Sequence, residues 1–137
     1  MDKLRITTLA GLSVAALLST RVPSRAADLD CTAYMTGKWV GTGAAPGGIA
    51  MELQNIYSFT ADGDFETINR YRAPGKEWSE QTVTGEWTAK PDTDAPQGCA
   101  VSMTSTDESG SATSVATYVR IDDETLSTMG FEMHREK

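Results

Sequence analysis

Apolar and polar side chains alternate in short runs between residues 27 and 137, and no run keeps the period of an amphipathic helix. Thr, Val, Tyr and Trp are frequent in these runs, and turn-forming residues interrupt them about every ten positions. The pattern predicts an all-β domain of seven or eight strands. The predicted strands are Gly37–Thr42, Ile49–Thr60, Asp64–Arg72, Glu77–Lys90 with a bend or bulge at Gly85, Cys99–Thr106, Ala112–Ile121 and Thr125–Arg135.

The connections between these strands are mostly short turns. The stretch "ADGD" at Ala61–Asp64 is a good hairpin signal, and "DDET" at Asp122–Thr125 is a fair one. Sequential strands joined in this way most simply form a single antiparallel up-and-down β-barrel, since closure removes the exposed strand edges. A sandwich of two sheets is the alternative.

The period of two also assigns each strand residue to one face of the barrel wall. Several aromatic, amide and hydroxyl side chains on adjacent strands are expected to point inward, as in the ligand cavity of a barrel. Alternatively, the barrel is filled by its own side chains, and the polar ones bond to one another. The candidate ligand-binding residues are Asn55, Tyr57, Thr67, Asn69, Tyr71 and Trp87.

The first 26 residues have the composition of a leader. Lys3 and Arg5 precede an apolar run of 15 residues, Ile6–Thr20, which is too short for a membrane anchor but typical of a secretory h-region. Ser24 and Ala26 are the small residues expected before a cleavage site. We therefore expect residues 1–26 to be a signal peptide and residues 27–137 to be one periplasmic or secreted domain.

Cleavage changes the charge of the chain, because the leader contains four of the 12 basic residues and one of the 19 acidic ones. The remaining eight basic and 18 acidic residues give a net charge of −10. Such a surface repels phosphate backbones and anionic lipid, so we expect neither a nucleic-acid nor a membrane partner. The charge is also explained by solubility alone.

Cys31 and Cys99 are the two cysteines, and an even number in an exported chain favours a disulfide between them. Two inert buried thiols are the alternative. No Ser–His–Asp or Cys–His set is expected when both cysteines are oxidised and the single histidine is exposed. The chain also lacks the Cys/His spacing of a zinc site and the ligand spacing of a calcium loop. We therefore predict a protein that is not an enzyme and that has no metal or cofactor.

The first strand contains the tripeptide Gly37-Lys38-Trp39, and here the chain resembles the lipocalin-like (calycin) barrels, which have G-x-W on their first strand. The resemblance implies that Trp39 closes one barrel end and that an arginine of the last strand packs across the indole. Arg135 is the first candidate, because it shares a face with Phe131 and Met133, and Arg120 is the second. The implied roles of Trp39 and Arg135 are structural.

Two narrower resemblances concern ligands. "GKWVGTG" is similar to the opening of nitrobindin-type haem barrels, which implies an axial histidine near the C-terminus; His134 is in that region, but alternation places it on the polar outward face. The chain also resembles the avidins in the stretch "TGKW", in the later strand cysteine Cys99 and in Tyr71 after "DGDF". Gly41 and Thr42 replace the Asn and Ser that avidins use for biotin, and no Trp follows Trp87.

These observations lead to three functional hypotheses. The first is a non-enzymatic module that binds a small, partly apolar ligand inside the barrel. The second is a protein-interaction barrel, such as a periplasmic protease inhibitor, and the third is a haem-binding barrel.

Overall fold

Residues 29–44 and 46–137 are described by a computed structural model, in which eight antiparallel strands close into one barrel in sequence order. This closed up-and-down barrel confirms the predicted fold class, and no sandwich forms. The predicted signal peptide, residues 1–26, lies outside the described residues. The elements are α1 (Cys31–Met35), β1 (Gly37–Ala44), a 3₁₀ turn (Pro46–Gly48), β2 (Glu52–Phe59), β3 (Asp64–Arg72), β4 (Ser79–Pro91), β5 (Gly98–Asp107), β6 (Gly110–Asp122), β7 (Thr125–Thr128) and β8 (Phe131–Arg135).

The two ends of the barrel differ. The closed end is the end at which β1 begins and β8 ends, and α1 packs there. The mouth is the opposite end, where the connections 45–51, 73–78 and 108–109 lie. Most of the core is near the closed end, where Phe59 packs against Trp87 with ring centroids 4.9 Å apart and edge-to-face against Tyr118 at 6.4 Å.

The helix α1 was not predicted, because five residues are too few to display a helical period. It begins at the N-cap Asp30, whose side chain accepts a hydrogen bond from the backbone N–H of Ala33 at 3.0 Å. A disulfide between Cys31 and Cys99 joins this helix to β5, as the cysteine count predicts. No helix of the described residues is long and apolar enough to cross a membrane.

The last predicted strand, Thr125–Arg135, is wrong as a single element. It is two strands, β7 and β8, joined by a turn at Met129 and Gly130, whose φ angles are +49° and +86°. A left-handed backbone is uncommon for a methionine, so the Met129–Gly130 pair gives no clear turn signal in the sequence. The split supplies the eighth strand.

The strands pair unevenly near the mouth. Pairs between β4 and β5 begin at Glu86 with Thr104, and pairs between β6 and β7 begin at Val119 with Ser127. The part of β4 nearer the mouth, residues 79–85, therefore pairs only with β3. The corresponding part of β6, residues 111–117, pairs only with β5, and we call it the β6 free edge.

Gly85 marks the position where β4 changes partner. The register with β3 is continuous through Gly85, so the predicted bulge is not found there. A Cβ at this position would lie 2.0 Å from the carbonyl oxygen of Thr104. Glycine is required because β5 approaches the β4 backbone closely.

Candidate functional site

A cavity of about 370 Å³ opens toward the mouth between two parts of the wall, and we call it the main cavity. One part is formed by β2, β3 and β4, and the other by the β5–β6 hairpin. Its volume is in the range of small-molecule sites. The cavity is lined by Tyr57, Phe65, Thr67, Val83, Met103, Ser105, Ala112, Thr113, Ser114, Val115, Ala116 and Met129.

The lining is mainly apolar, with a few hydroxyl groups. Phe65 and Tyr57 are almost fully buried, and Met103 contributes a flexible thioether. Burial raises the pKa of Tyr57, which keeps its phenol neutral and able to donate a hydrogen bond. The hydroxyl of Thr67 is another polar group at this wall. Such a surface is suited to an apolar molecule with a small number of polar atoms.

Tyr118 lies deeper in the core, and its side chain is fully buried. Its Oη has no hydrogen-bond partner among the described residues. Burial raises the pKa of Tyr118, and the nearby Tyr57 phenol raises it further. A buried hydroxyl without a partner costs free energy. Tyr118 lines neither this cavity nor the one beside the β7–β8 turn.

A second cavity of about 320 Å³ lies beside the β7–β8 turn. Met129 borders both cavities, and 62% of its surface is exposed. An unbranched thioether changes rotamer easily, so this side chain is a movable boundary between the two spaces. The second cavity is lined by Thr42, Gly43, Leu53, Asn55, Met129, Gly130 and Phe131.

The six candidate ligand residues do not all line one cavity. Tyr57 and Thr67 line the main cavity, and Asn55 lines the second. Trp87 lies deeper, with 5% exposure, and its Nε1 donates to the Thr60 carbonyl at 2.9 Å. Asn69 and Tyr71 line neither cavity, and Tyr71 is 44% exposed.

Sequence reasoning missed the contribution of β5 and β6 to the cavity wall. Alternation gives no reason to treat Met103 on β5 as part of a site. The small residues of β6, such as Ser114 and Ala116, have no chemistry that would single them out. These small residues matter because they leave the main cavity unfilled. That space can be recognised only when the arrangement of the strands is known.

The closed end is sealed by Trp39 and Arg135. Trp39 is fully buried, and the Arg135 guanidinium carbon lies 4.2 Å from the centroid of its ring. The same guanidinium donates hydrogen bonds to the carbonyls of Thr36 and Tyr34, each at 2.9 Å. Arg120, the second candidate, instead lies 5.9 Å from the Tyr34 ring and pairs with Asp123. Trp39 and Arg135 thus have the structural contacts that the resemblance implied.

The glycines of β1 make room for different neighbours. A Cβ at Gly37 would lie 2.9 Å from Nη1 of Arg135, and one at Gly41 would lie 3.1 Å from side-chain atoms of Met133 and Phe131. A Cβ at Gly43 would meet nothing within 4 Å, because Gly43 lines the second cavity. Two glycines therefore admit the packing of β8, and the third leaves open space.

His134 lies on the outer surface between β1 and β7. It pairs with Val40 and Thr125, and its side chain is 63% exposed. Its Nε2 is 3.9 Å from a carboxylate oxygen of Glu132. His134 lines neither cavity.

An aromatic and cationic cluster lies on the outside of the barrel near the mouth. The guanidinium carbons of Arg70 and Arg72 are 4.8 and 4.2 Å from the centroid of Trp78. Arg72 pairs with Glu52, and Nε of Arg70 lies 3.1 Å from Glu80. Both guanidinium groups already have acidic partners, so the cluster consists of contacts among residues of β2, β3 and β4 and the neighbouring Trp78.

Comparison with protein-family models, with curated proteins and with solved structures found no match.

Proposed function

We propose that this protein is a non-enzymatic binding module that holds a small, partly apolar ligand in the main cavity. The observation that supports this most directly is the unfilled space of about 370 Å³ at the mouth of a barrel whose other end is densely packed. Interiors normally close-pack, so an opening of this size next to a complete core is what a ligand site requires.

The lining indicates the kind of ligand. Phe65, Val83 and Met103 offer apolar contact, and Tyr57 and Thr67 offer hydroxyl groups. The net charge of −10 after cleavage disfavours a strongly anionic ligand. We infer a neutral or weakly polar molecule that combines apolar surface with a few polar atoms.

The proposal includes export and a lipocalin-like identity. The Cys31–Cys99 disulfide is of the kind found in oxidising compartments. The G-x-W strand, with Arg135 across Trp39, is the arrangement expected of a calycin barrel. A periplasmic or secreted ligand-binding barrel is consistent with both observations.

A second candidate is a protein-interaction barrel. Large apolar side chains near the mouth are exposed to solvent, with Ile49 at 60% and Val115 at 64%. Exposed large apolar side chains are a feature of protein-binding surfaces. No such observation supports a haem barrel, because His134 faces outward.

The ligand hypothesis is tested by native mass spectrometry of the protein purified from its own compartment. We expect a small molecule to leave with the chain, and an unliganded mass in repeated preparations would contradict this. Titration with Nile red, an uncharged apolar dye, is the second measurement. Ser114→Phe places an aromatic ring into the main cavity and is expected to weaken dye binding at least about tenfold.

Thr84→Phe is the matched control, because Thr84 is exposed on β4 and lines neither cavity. Dye binding should be unchanged in this variant. Equal binding by Ser114→Phe and the wild-type protein would show that the dye does not occupy the main cavity.

A further inference from the structure

The β6 free edge presents backbone hydrogen-bonding groups that the barrel does not use. The carbonyl of Thr117 accepts a hydrogen bond from Oγ1 of Thr128 on β7, so it points away from β5. The N–H of Arg120 donates to Gln97, on the β5 side. Since successive residues of a strand point their N–H and C=O groups to opposite sides, Ser111, Thr113 and Val115 direct theirs to the free side.

This edge has none of the features that usually protect an exposed strand. Residues 109–119 include no charged residue and no proline, and Val115 is 64% exposed. The other edge near the mouth, on β4, includes Glu80, which is paired with Arg70. An uncharged strand with free hydrogen-bonding groups is a site where another strand can add.

We propose that the β6 free edge is the interface between two copies of this chain. The two edges pair antiparallel about a two-fold axis near Thr113, so that each barrel extends the sheet of the other. In this register Ser111 lies opposite Val115 of the second copy, and Thr113 lies opposite itself. About six main-chain hydrogen bonds form across the axis.

The composition of the strand fits a second copy as occupant. Residues facing each other across the axis are small or β-branched and uncharged, so the strand is complementary to itself. Residues 112–116 border the main cavity, so the added strand would also cover the lateral gap between β6 and the β7–β8 turn. The cavity wall is thus completed by the partner copy.

Charge and area limit the strength of this contact. Two chains that each have the net charge of −10 expected after cleavage repel each other, and one strand edge provides a small interface. We therefore expect a weak dimer whose population rises with protein concentration and with salt. The salt dependence is opposite to that of an interface formed by ion pairs.

Sedimentation equilibrium over a wide concentration range tests the proposal. The average mass of wild-type protein should rise from that of one chain toward that of two, and more steeply at higher salt. Thr113→Pro removes a donor from the free side and leaves the hydrogen bonds to β5 intact, so this variant should remain monomeric. Thr113→Lys places like charges opposite each other and should weaken the dimer at least about tenfold.

Thr82→Pro is the matched control. The N–H of Trp87 donates to Gly63 on the β3 side, so alternation directs the N–H of Thr82 to the free side of β4. This variant makes the same change at an edge that the proposal does not use, and it should dimerise as the wild type does.

Hydrogen exchange gives an independent readout at single residues. In the monomer, the amides of Ser111, Thr113 and Val115 should exchange faster than those of Ala112 and Ser114, which bond to β5. Raising the protein concentration should slow the first set and leave the second unchanged. The proposal is overturned if wild-type protein stays monomeric over the whole concentration range, or if Thr113→Pro and Thr113→Lys both dimerise normally. It is also overturned if a foreign peptide occupies the β6 free edge in the purified protein.

Discussion

Arg135 stabilises the closed end through contacts of two kinds. Its guanidinium lies over Trp39, and it donates hydrogen bonds to two carbonyls that follow or belong to α1. The carbonyls of Tyr34 and Thr36 lie at the end of a helix, where C=O groups lack partners within the helix. One side chain thus joins the last strand to the first elements of the domain.

Replacing Arg135 by leucine should lower the free energy of unfolding by about 2–3 kcal/mol, because charge-assisted hydrogen bonds and a cation–π contact are lost. Arg135→Lys should recover only part of this loss, since an ammonium group cannot reach both carbonyls in a planar geometry. Urea unfolding followed by tryptophan fluorescence measures the change.

Arg120→Leu is the appropriate control, because Arg120 was the other candidate partner of Trp39. Asp123, its ion-pair partner, is largely exposed, so the expected loss is below about 1 kcal/mol. Equal losses for the two arginines would contradict the role given to Arg135.

The change of partner along β4 depends on one glycine. From residue 79 to Gly85 the strand pairs only with β3, and from Glu86 it also pairs with β5. The β5 backbone lies too close to Gly85 for any side chain. At Gly43, also inward-facing, the space is open. The two positions look alike in the sequence and differ only in the approach of another strand.

Gly85→Ala should therefore destabilise the fold by about 1–3 kcal/mol, because the new methyl group collides with backbone that cannot move away easily. Gly43→Ala should be neutral or stabilising by up to about 1 kcal/mol, since it restricts the unfolded chain without a clash. Thermal unfolding of both variants measures the contrast. A larger loss at Gly43 than at Gly85 would show that β5 does not approach β4 as described.

The helix α1 is held against the barrel by the disulfide. Five residues do not form a stable helix in isolation, so α1 remains in place through Cys31 and through packing. The loop between Cys31 and Cys99 spans a sequence separation of 68, for which the chain-entropy model gives roughly 4 kcal/mol.

A Cys31→Ala/Cys99→Ala double variant should lose about 2–5 kcal/mol of stability. Reducing agent should lower the free energy of unfolding of the wild-type protein to a similar level and leave that of the double variant unchanged. An effect of reductant on the double variant would indicate that something other than this disulfide is being reduced.

For the whole molecule, stability at alkaline pH depends on buried phenols. Burial raises the pKa of Tyr34 from 10.0 to about 12, although Arg120 and Arg135 lower it in part. Its hydroxyl donates to the carbonyls of Asp122 and Thr125. Because the folded-state pKa exceeds the unfolded one, the stabilisation is fully present below pH 10 and is lost as the pH rises toward 12.

The free energy of unfolding should therefore fall between pH 10 and pH 12, together with the appearance of tyrosinate absorbance. Tyr34→Phe should be less stable than the wild type at neutral pH, because two carbonyls lose their donor. Its decline over the alkaline range should be shallower. A decline of unchanged slope would assign the alkaline loss to groups other than Tyr34.

The barrel itself could be predicted from the sequence because alternation and turn spacing are local signals. The same signals placed Tyr57, Thr67 and Asn55 on the inward face, and they placed His134 outside. The positions of the cavities could not be predicted, because they arise where β4 separates from β5 and β6 extends beyond β7. These differences in pairing depend on the lengths of neighbouring strands. Met129 borders both cavities because it lies in the β7–β8 turn, which the sequence does not signal.

The concentration of stabilising contacts at the closed end has a consequence for protein engineering. The disulfide, the Arg135 contacts and the aromatic cluster all lie away from positions such as Ser105, Ala112 and Ser114 at the mouth. Substitutions at these mouth positions leave those contacts intact, so they can be randomised together in a library. The domain thus offers a small scaffold in which binding specificity is selected separately from folding.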